Sequence, residues 1–124
     1  MTRVLAVDDE EQILVLIQRV AEDLGFATHT LNDSRRFVTT FVRFKPDIVV
    51  IDIVMPNMDG IEIIQWLKDV DYSGALIIMS GFDRYERLAQ VLAQANSRMF
   101  ISRLAKPWRI AEIKESLLAA ASKS

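Results

Sequence analysis

Five short apolar runs, each followed by a segment with helical spacing, constrain this chain more than any other feature. Val4–Val7, Ile48–Ile51 and Ala75–Met79 are unbroken and rich in Val and Ile, the pattern of strands buried on both faces. Phe26–Leu31 and Met99–Leu104 carry polar residues and suit sheet positions with more solvent contact. The first helical segment sets Ile13, Leu16, Ile17, Val20 and Leu24 on one face and stops at Gly25. The second, Arg35 to Phe44, opens after Asp33-Ser34, carries Phe37, Val38 and Phe41, and ends before Pro46. The third runs from Gly60 to Val70 around Ile61, Ile64 and Leu67. The fourth runs from Arg84 to Ala95 around Leu88, Val91, Leu92 and Ala95. The last, from Trp108 onward, packs Ile110, Ile113 and Leu117. Strand and helix alternating five times predict an α/β fold: a (βα)5, doubly wound, parallel five-stranded sheet with helices on both faces.

The 124 residues fit a single domain over 1–124 with no output domain attached. Fifteen Lys and Arg against 17 Asp and Glu leave a net charge of −2, which argues against direct nucleic-acid binding through phosphate neutralisation. Cysteine is absent, so a disulfide scaffold or thiolate metal site is excluded. The N-terminal MTRVLAV runs into Asp8, Asp9 and Glu10, which no signal peptide tolerates, and the apolar runs are far shorter than the ~20 residues of a membrane span. A cytoplasmic protein without membrane insertion is expected.

In a sheet of this kind, ligands bind at the carboxyl ends of the strands. Asp8 and Asp9 end the first strand, Asp52 the third and Ser80-Gly81 the fourth, while the fifth runs into Lys106-Pro107. Three carboxylates on one edge repel unless a cation joins them, and a hard divalent ion with oxygen ligands serves. Mg²⁺ suits so few carboxylates, because it keeps waters and shares positions with phosphate oxygens. Lys106 adds a point positive charge, Ser80 a hydroxyl, and Gly81 a backbone N–H with no side chain in the way. Asp52, at the end of the most apolar strand, is the best nucleophile toward phosphorus, giving an acyl phosphate. Blander roles compete: Asp8-Asp9 as a helix N-cap, Ser80 as a cap of the fourth helix, Trp66 and Trp108 as packing. His29, in the polar second strand away from this edge, reads as structural or exposed.

VDDE at 7–10, VVIDIVMPNMDGIE at 49–62, MSG at 79–81 and KPW at 106–108 occur in order at the strand ends. In these motifs the chain resembles the receiver domain of two-component response regulators from about Arg3 to Ala121. The resemblance implies the flavodoxin-like strand order 2-1-3-4-5. It also implies that Asp52 accepts a phosphoryl group from a sensor histidine kinase or phosphotransfer protein. Asp8, Asp9, Asp52 and the backbone carbonyl of Val54 would gather around Mg²⁺, and Ser80 and Lys106 would hold the phosphoryl group. The Lys106–Pro107 bond is cis in the family. By this reading the chain is no enzyme beyond self-catalysed phosphoacceptance and slow autodephosphorylation. Its partners are the kinase and a downstream output domain or protein.

Three features depart from, or add to, the family pattern. Arg103 stands three before Lys106, where many receivers carry a switch aromatic; a guanidinium is costly to bury and is expected to stay on the surface. Val54 and Phe82 are apolar where polar groups often help water attack the acyl phosphate, so slow hydrolysis is expected. Leu14 and Val15 align with Gln18, Arg19 and Glu22 on the polar side of the first helix, and are expected to form a docking patch for the kinase. The Ala-rich segment before Leu104-Ala105-Lys106-Pro107 also looks like receivers that precede EAL-type phosphodiesterase domains. Two alternatives are a pseudo-receiver that binds without phosphorylation and a Mg²⁺-dependent phosphohydrolase. Against the latter, Val54 stands where haloacid-dehalogenase enzymes place a second Asp.

Overall fold

The computed structural model describes residues 1–52, 60–80, 98–105 and 109–123, with Ser80 and Ala105 described by their backbone. Its strands are β1 (Arg3–Val7), β2 (Ala27–Leu31), β3 (Ile48–Asp52), β4 (Ala75–Ser80) and β5 (Phe100–Ala105). The described helices are α1 (Glu11–Asp23), α2 (Phe37–Phe44, entered through a 3-10 turn at Ser34–Arg36), α3 (Gly60–Asp69) and α4 (Ile110–Lys123). The helix expected over 84–95 lies outside the described residues.

All strand pairs are parallel and the order is β2-β1-β3-β4-β5, as the resemblance implied. Because side chains alternate along a strand, each central strand feeds two cores. Leu5, Val7, Val49, Ile51, Leu76 and Ile78 pack on one face with Phe37 of α2 and Ile63, Ile64 and Leu67 of α3. Val4, Ala6, Ile48, Val50, Ala75 and Ile77 pack on the other with Leu14, Ile17, Val20 and Ala21 of α1 and Ile113, Leu117 and Ala120 of α4. Every residue of β3 is buried, whereas edge strand β2 exposes His29. The continuous runs thus take the centre and the polar runs the edges. Trp66 is a packing residue, edge-on to Phe37 and Phe41 at 5.8 and 5.2 Å; Trp108 lies outside the described residues.

α1 ends as Gly25 requires. Gly25 adopts φ +84°, its N–H bonds to the Glu22 carbonyl at 2.9 Å, and Phe26 N–H reaches back to Ala21 at 3.0 Å, a Schellman closure. The chain then turns directly into β2.

Two expectations fail. Leu14 is only 1% exposed and belongs to the core, while its neighbour Val15 is 49% exposed. The buried stripe of α1 is Leu14, Ile17, Val20 and Ala21, with Ile13, Leu16 and Leu24 only partly covered. Leu14 lies roughly 60° around the helix from Ile17 at 3.6 residues per turn. A helix packed on the sheet alone buries a narrow stripe, but α1 also packs against α4, whose Ile113, Leu117 and Ala120 share the Leu14 cluster. The second neighbour widens the buried arc until it includes Leu14. Ile110, expected in the core, is 61% exposed at the first position of α4; that helix buries Ile113, Leu117 and Ala120 instead.

Candidate functional site

Strand register builds the acidic edge. Val7 pairs with Ile51, so the next residues, Asp8 and Asp52, stand side by side where β1 and β3 finish. Asp52 remains in the ladder, opposite Met79 of β4, which holds its backbone on a fully buried strand. Asp8 is fixed by its own N–H, which donates to the Leu31 carbonyl at 3.1 Å and extends the contact with β2 one residue past the last pair.

The Asp8 carboxylate accepts the backbone N–H of Glu10 at 2.8 Å, an Asx-type turn between β1 and α1. Glu10 is the N-cap of α1 and makes no side-chain cap bond. The Asp8 carboxylate is therefore held in the turn before α1 and not as that helix's N-cap.

One carboxylate oxygen from each of Asp8, Asp9 and Asp52 lies within 4.8 Å of the others. Asp8 is fully buried, Asp52 is 7% exposed, and Asp9 is open to solvent. Two ionised carboxylates 4.8 Å apart repel by about 3.5 kcal/mol at an effective dielectric of ~20, a figure that any counter-charge reduces. Such crowding is a cost to folding that a cation relieves. The donor set, three carboxylate oxygens with one side open, fits a hard divalent ion that keeps part of its water. It does not fit a structural zinc site, which uses nitrogen and sulfur donors.

β4 and β5 end together, with Ser80 paired to Ala105 in the last rung. The Ser80 side chain and the residues Val54, Gly81, Phe82, Lys106 and Pro107 lie outside the described residues, so the acidic half of the expected site is what the geometry displays. Arg103, opposite Ile78 on β5, is exposed, as expected for a guanidinium. No helix among the described residues is long and apolar enough to cross a membrane. His29, set aside in the sequence, is indeed exposed, yet it lines a groove with three arginines, which only the pairing of β2 with the outer side of α2 brings together.

The chain is similar to known proteins in sequence and in fold. The chain is 27% identical to sporulation initiation phosphotransferase F of Bacillus subtilis over 115 residues, covering 93% of this chain and 90% of that protein. It is 28% identical to the chemotaxis protein CheY of Thermotoga maritima over 111 residues, covering 89% and 92%. The match to regulatory protein AtoC of Escherichia coli, 30% identical, covers 74% of this chain but a fifth of that relative. Among solved structures, the receiver domain of Francisella response regulator 1452 superposes with a TM-score of 0.82 at 25% identity, covering 98% of each chain. A receiver domain protein from Clostridium thermocellum superposes at 0.85 and 23% identity, over 98% of this chain and 95% of that one, a likeness of fold alone. Residues 4–118 match the model of the response regulator receiver domain, and the chain belongs to that family of two-component signalling proteins.

Proposed function

We propose that Asp52 is the phosphoacceptor of this receiver. A carboxylate oxygen of Asp52 attacks phosphorus, the bond from phosphorus to the donor nitrogen of a kinase phosphohistidine breaks, and the imidazole leaves with the electron pair. Asp8, Asp9 and Asp52, with the carbonyl of Val54, would hold Mg²⁺, which when bound offsets the charge gathered on the carboxylates and the phosphoryl oxygens. Lys106, Ser80 and the N–H of Gly81 are assigned to the phosphoryl oxygens, and Val54 and Phe82 to slowing hydrolysis. The observation that carries this reading is the convergence of three carboxylate oxygens within 4.8 Å at the end of β3.

Phosphorylation biases a pre-existing two-state equilibrium of the surface made by the 84–95 segment, β5 and α4. With Arg103 on that surface instead of an aromatic, and Pro107 assigned with it to the switch, the readout is an ion pair with an acidic partner in place of ring burial. Val15, exposed on α1, belongs to the kinase contact; Leu14, buried in the core, does not. The chain acts as one receiver over 1–124 in the cytoplasm, and an EAL-type phosphodiesterase is the proposed output.

Incubation with Mg²⁺ and acetyl phosphate, read by intact mass, tests the core of this reading. The wild type gains one phosphoryl group and Asp52→Ala gains none. Mg²⁺ alone raises the melting temperature of the wild type, and less so that of Asp52→Ala. Equal phosphorylation of both proteins would remove Asp52 from its role.

A further inference from the structure

Away from the acidic edge, a groove of about 420 Å³ lies between edge strand β2 and the outer side of α2. It is cationic although the chain as a whole carries −2. Arg35, Arg36 and Arg43 supply three guanidinium groups, all on exposed residues, and no acidic side chain lines the groove. Arg35 shares its charge with Asp33, at 3.0 Å from Nη2 to Oδ2. Arg36 and Arg43 form no ion pair among the described residues.

Arg36, the N-cap of α2, and Arg43, in its last turn, both line the groove, about 10 Å apart along the helix axis and within reach of a common ligand. Thr39 and Thr40 place hydroxyl groups between them. The far wall is aromatic: His29 from β2 and Phe44 from α2, with ring centroids 5.6 Å apart and planes tilted by 49°. Arg36 at the N-cap of α2 opposes the helix dipole, whereas Arg43 in the last turn suits it. A ligand with phosphate groups complements this lining, since guanidinium forks and hydroxyl donors match phosphate oxygens.

We propose that this groove binds a small ligand carrying two or more phosphate groups, held by Arg36 and Arg43, with the His29–Phe44 wall available to a planar base. The volume lies within the range of small-molecule sites. This site is separate from Asp52 and does not depend on its phosphorylation.

Titration of the full chain with ADP, inorganic pyrophosphate and adenosine, in EDTA to keep metal from the acidic edge, tests it by calorimetry and amide NMR shifts. ADP and pyrophosphate bind saturably, shift β2 and α2 amides and leave Asp8, Asp9 and Asp52 unmoved; adenosine does not bind. ADP binding more tightly than pyrophosphate assigns a nucleotide and engages Phe44, whereas equal affinity assigns the inorganic anion. Arg36→Ala and Arg43→Ala, both on exposed residues, each weaken binding roughly tenfold or more, as loss of a charge-assisted hydrogen bond predicts. Added salt weakens binding further. The proposal is overturned if neither phosphate compound binds the wild type, if the shifts centre on the acidic edge, or if both variants bind as the wild type does.

Discussion

Replacing Leu14 by alanine removes three carbons from a side chain that is 1% exposed. At ~0.8 kcal/mol per buried methylene-sized group, transfer alone costs about 2.4 kcal/mol. The vacated space adds a cavity penalty, because Ile17, Val20, Ile113 and Leu117 sit in the same cluster on rigid helices and follow only partly. A total loss of about 3–4 kcal/mol is expected, within the 2–5 kcal/mol span of such substitutions. For a chain of 124 residues, that lowers the melting temperature by roughly 12–15 °C. The next residue behaves oppositely. Val15 is 49% exposed, so Val15→Ala shifts stability by no more than ~0.5 kcal/mol, with alanine's helix propensity offsetting the lost contact. Urea unfolding of the three proteins, analysed at constant slope, measures both differences. Both variants accept phosphate from acetyl phosphate, whereas Val15→Glu slows transfer from the kinase alone. A loss below 1 kcal/mol for Leu14→Ala, or equal losses for both alanine variants, refutes the assigned phase of α1.

Tyr72 donates its hydroxyl to the Pro46 carbonyl at 2.9 Å, and burial followed by the nearby charge of Asp47 raises its pKa well above its usual value. The folded state therefore keeps a neutral phenol where the unfolded chain ionises near ~10. Stability from this group is intact below that pH and falls above it by about 1.4 kcal/mol per unit. Tyr72→Phe loses about 1 kcal/mol at neutral pH from the missing hydrogen bond and lacks that alkaline slope; denaturant midpoints from pH 7 to 11 show both. A β-carbon at Gly74 would collide with the Tyr72 hydroxyl and lie 2.7 Å from the Asp47 carbonyl, which is held by Ala75 N–H at 3.0 Å. Gly74→Ala is expected to cost ~1–3 kcal/mol in thermal unfolding through overpacking, and a variant as stable as the wild type would contradict the geometry.

Much of this protein is legible before any coordinates exist. Unbroken Val and Ile runs can satisfy themselves only when covered on both faces, so β1, β3 and β4 had to be central and parallel. Gly25 marks the end of α1 because only a residue free of a β-carbon accepts its φ of +84° without strain. Asp8, Asp9 and Asp52 are readable as a set because strand ends in such a sheet share one edge. What one dimension does not carry is the mutual placement of elements distant in sequence. Whether Leu14 faces water depends on α4 lying against α1, and the helical period of α1 holds no record of that neighbour. The 4.8 Å convergence of the carboxylates depends on Val7 pairing with Ile51, since a shifted register would part Asp8 from Asp52 without altering either strand's pattern. His29 is an unremarkable edge residue until β2 is set beside α2, where Arg36 and Arg43 complete a cationic groove. Composition and periodicity are properties of a chain read locally; register and helix packing are decided by contacts across it, and the site and the groove are made there.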